Sequence, residues 1–197
     1  MATLAESIMK EASKRAEGTP LLAKEFLHLG SRAAVDQALS RLARQGRLMR
    51  ASRGVYVRPV ETRFGVRPPS VPKVVEALAQ LKGEQLAPHG AATANALGMT
   101  TQVPVRTVYL TSGRSRRLRL GAQEVELRHA PAWQLALPNQ TAGQIIRALA
   151  WLGPKEGRER LSSLGKKLSP SELQELAAAR AQLPAWMAQQ VGAFVNA

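Results

Sequence analysis

Four prolines fall within residues 59 to 72, "PVETRFGVRPPSVP", and they constrain the fold more than any other stretch of the 197-residue chain. Proline fixes φ, lacks an amide donor and biases the residue before it towards extended backbone. Neither a helix interior nor a central strand runs through such a segment. It reads as a linker. Residues 1 to 58 then form one expected domain and residues 73 to 197 another. A hydrophobic content of 45% over this length suffices for one small and one medium core.

Within the first part, Leu4, Ile8, Ala12 and Arg15 recur at helical spacing, and Glu17-Gly18-Thr19-Pro20 closes the run. That predicts a helix over roughly residues 3 to 16. The apolar stretch "LLAKEFLHLGS" predicts a short second helix with a tight turn at Gly30. Ser31 then caps a third, "SRAAVDQALSRLARQG", whose Val35, Ala38, Leu39 and Leu42 share one face and which stops near Gly46. The strand-like runs "RLMRAS" and "GVYVRP" follow, separated by a turn at Ser52-Arg53-Gly54. Helices followed by a hairpin in this order predict a winged helix-turn-helix, with residues 1 to 68 expected to fold alone.

The second part opens with the helical "KVVEALAQLKG" and the small-residue helix "GAATANALGM". Strand-like "VRTVYLT" comes next, then "RLRLGAQEVELRHA", a hairpin candidate in which Val125 and Leu127 alternate with Glu124, Glu126 and Arg128. The remainder is helical: "TAGQIIRALAWLG", "EGRERLSSLGKKL" and "SPSELQELAAARAQL", the last opening on Ser169, Pro170 and Glu172. The expected class is α+β: a winged helix, then helices with a small antiparallel sheet and a helical C-terminal part.

Charge indicates the partner. With 28 Lys plus Arg against 14 Asp plus Glu the chain carries a net +14, which favours nucleic acid. Arg41, Arg44, Arg47, Arg50 and Arg53 stand at every third position straight through the helix-stopping Gln45-Gly46, and Arg58 follows. Between residues 32 and 58 seven arginines face one acid, Asp36. Two of the periodic arginines belong to the helix and the rest to the hairpin side, so the period is coincidence laid over a real charge density. On a helical wheel Ala33, Gln37, Ser40 and Arg44 lie opposite the apolar face, with Arg41 beside them and Arg32 nearer the N-terminus. A major groove admits one helix, and Arg and Gln can make bidentate contacts to guanine and adenine edges. Arg47, Arg50, Arg53 and Arg58 would reach phosphates or an adjacent minor groove. Arginine suits both tasks better than lysine because its planar fork matches base edges and phosphates.

Other chemistry is poorly supplied. Cysteine is absent, Asp36 is the only aspartate, and His28, His89 and His129 show no ligand spacing. No cofactor, no metal and no catalysis are expected. Nothing at the N-terminus resembles a signal sequence, and no stretch approaches about 18 consecutive apolar residues. A cytoplasmic protein without a membrane partner is expected. The cluster Arg114, Arg116, Arg117 and Arg119 is either a solvated turn or a second basic site. His89 is expected to cap or pack, and Trp133, Trp151 and Trp186 to anchor cores.

Two stretches together resemble the AbiEi-type antitoxins of type IV toxin-antitoxin systems: the N-terminal unit ending in "SRGVYVRP", and "LAPHGAATANALGMTTQVPVRTVYLTSG", residues 86 to 113. The resemblance covers roughly residues 1 to 135. It implies a winged helix that represses its own operon at operator DNA, which could hold inverted repeats. It also implies a second domain that counters a nucleotidyltransferase-like toxin without requiring a stable complex. Position by position it implies DNA contacts from Arg32, Gln37, Ser40, Arg41 and Arg44 in the helix and from Arg50 and Arg53 in the hairpin. Competing readings are an RNA- or ribosome-associated protein on the same basic surface, and a nucleic-acid enzyme docked by a winged helix.

Overall fold

The computed structural model describes residues 3 to 196. The chain is mixed α+β, with small antiparallel sheets and a helical C-terminal part. It divides into two units, neither of them contiguous: residues 1 to 84 with 116 to 126, and residues 85 to 115 with 127 to 197. The boundary therefore does not lie at the proline-rich segment.

In the first unit, α1 (Leu4–Ser13) opens on a capping box in which Thr3 and Glu6 satisfy each other's backbone amides. It buries Ile8 and Ala12. The second helix expected from the sequence is reduced to a two-residue strand, β1 (Leu21–Leu22), and one 3-10 turn, Ala23–Phe26. Glu25 explains the shortening. Its carboxylate accepts the Leu22 amide at 2.8 Å and pairs with Arg15 at 3.0 Å, closing the turn on itself. Helix α2 (Arg32–Arg44) is capped by the Ser31 hydroxyl and ends at Gln45, where Gly46 takes φ +73° and the Arg47 amide returns to the Leu42 carbonyl. The hairpin of β2 (Met49–Ser52) and β3 (Val55–Val57) turns at Arg53-Gly54, and β1 adds to β3 to give the order β1-β3-β2. Ile8, Leu21, Phe26, Val35, Leu39 and Leu42 form its core. Truncating one of these to alanine costs about 2–5 kcal/mol.

The segment expected to be a linker is ordered. It holds a second hairpin, β4 (Val60–Thr62) paired with β5 (Gly65–Arg67), followed at once by α3 (Val71–Lys82). Glu17 fastens it. One carboxylate accepts from Lys73 Nζ at 2.6 Å, the Ser70 amide at 3.0 Å and Arg67 Nη1 at 3.2 Å. Gly18, at φ +85°, lets the backbone approach so closely that a Cβ would lie 2.8 Å from that of Lys73. The same unit takes in β8 (Arg116–Leu120) and the first half of β9 (Gln123–His129), with Leu118, Leu120 and Val125 buried. Arg116 makes a bidentate, largely buried pair with Glu84. The expected 73 to 197 domain thus surrenders α3 and this hairpin.

The Glu17 hub makes a pH prediction. Lys73, then the Ser70 amide and Arg67, hold its carboxyl at about 2 instead of 4.5. The folded value is depressed, so its contribution to stability is complete above about pH 4.5 and disappears as the pH falls towards 2. Urea unfolding of the wild type and Glu17→Gln should give stabilities that differ at pH 6 and converge between pH 4.5 and 2. A constant difference across that window would show that Glu17 is not titrating in this way.

The second unit begins with β6 (Leu86–Pro88), antiparallel to β7 (Thr107–Thr111), and with the short helix α4 (Gly90–Ala96). His89 caps α4, its Nδ1 accepting the Ala91 amide at 3.2 Å. Helices α5 (Ala132–Leu135), α6 (Thr141–Leu164), α7 (Pro170–Ala179) and α8 (Ala185–Val195) complete the unit. Gly153 breaks α6 with φ 78° and ψ 178° ahead of Pro154, so two expected helices meet there at a kink. Ser169 and Glu172 form the expected capping box of α7. Two glycines permit close packing. A Cβ on Gly90 would overlap the Arg147 carbonyl oxygen of α6, and one on Gly143 would overlap the carbonyl of Leu137, which sits at φ +50°. Trp133 and Trp186 pack against the core, whereas Trp151 is 37% exposed.

Candidate nucleic-acid interface

The side of α2 facing away from the core is built as the wheel predicts. Val35, Leu39 and Leu42 are fully buried, while Ala33, Gln37, Arg41 and Arg44 are exposed and Ser40 is half-buried. Among the described residues no carboxylate pairs with Arg41 or Arg44. Arg32 departs from this face. Its Nε donates to Asp36 at 2.9 Å, an i,i+4 pair that draws the side chain to the helix flank.

Gln37, Arg41, Gln45 and Arg47 line one cleft together with Thr3 and Glu6 at the start of α1. The Thr3 amide and hydroxyl hold the Glu6 carboxyl below its usual range, and the charge of Arg47 adds to the effect. A wider groove lies beyond the end of α2. Gln45, Gly46 and Arg47 line it with Arg58, Pro59, Val60, Glu61 and Val66, and with Glu17 below. Arg47 and Arg58, distant in sequence, thus share a groove.

Arg50 is exposed on β2 opposite Tyr56, and Arg53 is exposed at the turn of the first hairpin. The structure brings Gln37, Arg41 and Arg47 to one cleft and Arg47 and Arg58 to another. Arg32 is exposed and pairs with Asp36. Of the second arginine cluster, Arg116 is a structural partner of Glu84, whereas Arg117 and Arg119 are exposed on β8 in the same unit as α2. Arg117 also approaches Glu124 at 3.4 Å. Two residues with an interface character escaped the sequence reading. Arg63 lies over the ring of Phe64, 4.6 Å from its centroid, and that ring is 86% exposed.

Among the described residues there is no cluster of three or more metal-ligating side chains, and no helix is long and apolar enough to cross a membrane. The sequence profile of a family of unknown function, DUF6088, matches residues 7 to 173. The chain belongs to the DUF6088 family. That match takes in most of α1, then α2 to α6 and the strands β1 to β9, so the DUF6088 pattern extends over parts of both units and includes α2 and the β2–β3 and β4–β5 hairpins of the first. No curated protein and no solved structure matches the chain.

Proposed function

We propose that the first unit is a winged helix that binds duplex DNA sequence-specifically, α2 entering the major groove and the β2–β3 hairpin acting as the wing. One observation carries this reading. Ala33, Gln37, Arg41 and Arg44 form an exposed face opposite the buried Val35, Leu39 and Leu42, with the small Ala33 leaving room for close approach. The order helix, strand, turn, helix, hairpin supports it, as does the strand β1 completing the hairpin's sheet. Charge supports it too, since the first unit holds 18 Lys plus Arg against 10 Asp plus Glu.

The test separates the helix from the wing. With the full chain and a duplex recovered from a randomised library, Gln37→Ala or Arg44→Ala should each remove a base-edge contact worth about 1–3 kcal/mol and relax preference at one or two base pairs. Arg53→Ala should weaken binding to all sequences alike and reduce the salt slope by about one unit. Equal losses on all sequences for the three variants would refute the division of labour.

The physiological role we propose is an autoregulating antitoxin that represses its own operon and counters a nucleotidyltransferase-like toxin. Its support is the resemblance carried by "SRGVYVRP" and residues 86 to 113. Repression then belongs to α2 and the wing, and toxin suppression to the second unit.

A further inference from the structure

We propose that the β4–β5 hairpin is a second DNA-contacting element, whose tip sets the Phe64 ring against a base step while Arg63 takes the adjoining phosphate. The proposal rests on the DNA-binding reading of α2 and adds a contact outside both the helix and the wing.

Phe64 is 86% exposed and Val66 67%, so neither contributes to a core. The Phe64 ring is thus free to meet a partner. The turn that presents it is fixed. The Thr62 hydroxyl donates to the Gly65 carbonyl at 2.7 Å and accepts the Phe64 amide at 3.2 Å, and Gly65 takes φ +110°. Below the tip, Glu61 opposes Val66 and Val60 opposes Arg67, and Arg67 is tied to Glu17. Phe64 is therefore delivered on a braced arm, which reduces the ordering cost of binding. With the Arg63 guanidinium over one face of the ring, the other face is available for stacking.

The surroundings select the partner. The groove between this hairpin and the end of α2 is lined by both Arg47 and Arg58. Its two acids are Glu17, already neutralised by Arg67 and Lys73, and Glu61. A polyanion following α2 past Arg47 enters a groove that Arg58 also lines and that Val66 of this hairpin borders. Proteins that kink DNA insert apolar wedges between base steps and place arginine alongside, and base–aromatic stacking accounts for about 5- to 150-fold in affinity per base. A protein partner would gain nothing from the two lining arginines unless it were acidic.

The experiment uses the full chain with the selected duplex, substituted one position at a time with 2-aminopurine, whose fluorescence rises when a base is unstacked. Wild type should raise the signal at one step outside the α2 footprint. Phe64→Ala should bind at least about 5-fold more weakly and abolish that rise, whereas Phe64→Trp should keep both. Because the ring is exposed, Phe64→Ala should melt at the wild-type temperature. Unchanged affinity and fluorescence for Phe64→Ala overturn the hairpin contact, and if Arg44→Ala still weakens binding the α2 reading stands. A weaker Phe64→Ala with no fluorescence rise in the wild type overturns base stacking. A change in self-association with DNA binding intact overturns the proposal in favour of a protein contact. If neither variant alters binding, or the wild type selects no duplex, the α2 reading falls as well.

Discussion

Replacing Arg147 by methionine is expected to lower the melting temperature by about 10 °C or more, although methionine is apolar and the site is buried. Arg147 is 1% exposed on α6, and its guanidinium donates to the carbonyls of Gln134 at 3.3 Å, Ala136 at 3.1 Å and Pro138 at 3.1 Å. Burial pushes its pKa down to about 10, so it remains charged at pH 7. Gln134 lies in α5 and Ala136 and Pro138 in the connection that follows, where Leu137 takes φ +50° and its oxygen is seated on Gly143. Removing the donors leaves the half-buried carbonyls of Gln134 and Ala136 without a partner, whereas that of the exposed Pro138 can turn to water. Each unsatisfied group costs about 1–3 kcal/mol, and partial entry of water brings the total to about 3–5 kcal/mol. In a chain of this size that is about 10 °C. Lysine should not rescue, because a point charge cannot span acceptors a planar fork reaches together. Gly143→Ala should be comparably damaging through overlap with the same connection, and the double variant should be less than additive. Arg158→Ala, exposed on the same helix, should change nothing. Calorimetry of the five variants decides. A melting temperature for Arg147→Met within 2 °C of wild type would mean the carbonyls find other donors.

The second large effect concerns function and divides it. The full chain with Arg41 and Arg44 both changed to alanine should lose about 100-fold or more in operator affinity, two base-edge contacts together being worth about 3 kcal/mol or more. Both side chains are exposed and neither has a carboxylate partner among the described residues, so folding should be unaffected. A reporter driven by the gene's own promoter should be derepressed. On the proposed antitoxin reading, growth of cells expressing a toxin encoded beside the gene should nevertheless be rescued as well as by the wild type, because that reading gives suppression to the other unit. Derepression with failed rescue, the variant being soluble, would tie suppression to DNA binding. Failed rescue by the unmodified protein would remove the antitoxin role and leave a DNA-binding regulator.

The features legible in the sequence are those set by neighbours along the chain. The apolar stripe of α2 shows in Val35, Leu39 and Leu42, its stop in Gly46, the cap of α7 in Ser169 and Glu172, and the pleat of β9 in Val125 and Leu127. The proline-rich segment misleads because its prolines bracket a hairpin and do not interrupt it: Pro59 precedes β4, and Pro68 and Pro69 follow β5. Its order comes from Glu17, some fifty residues earlier, which no local pattern reveals. The Arg32–Asp36 pair was visible as an i,i+4 spacing. Arg147 carried a signal as well, a lone cation within "TAGQIIRALAWLG", yet two of the carbonyls it serves come from a connection that has no local signature.

The chain passes from one unit to the other after Glu84, again after Ser115, and a third time within the single strand β9. During synthesis Arg116 is added 32 residues after its partner Glu84. At about 5–20 residues per second the first unit waits several seconds for its last hairpin. Heredity is bound in the same way. A recombination event that exchanges one contiguous cassette cannot transplant either unit whole, and a protease that cuts once cannot release one intact. The two halves must therefore be made, inherited and destroyed together, so that whatever cells do with one they do with the other in equal number.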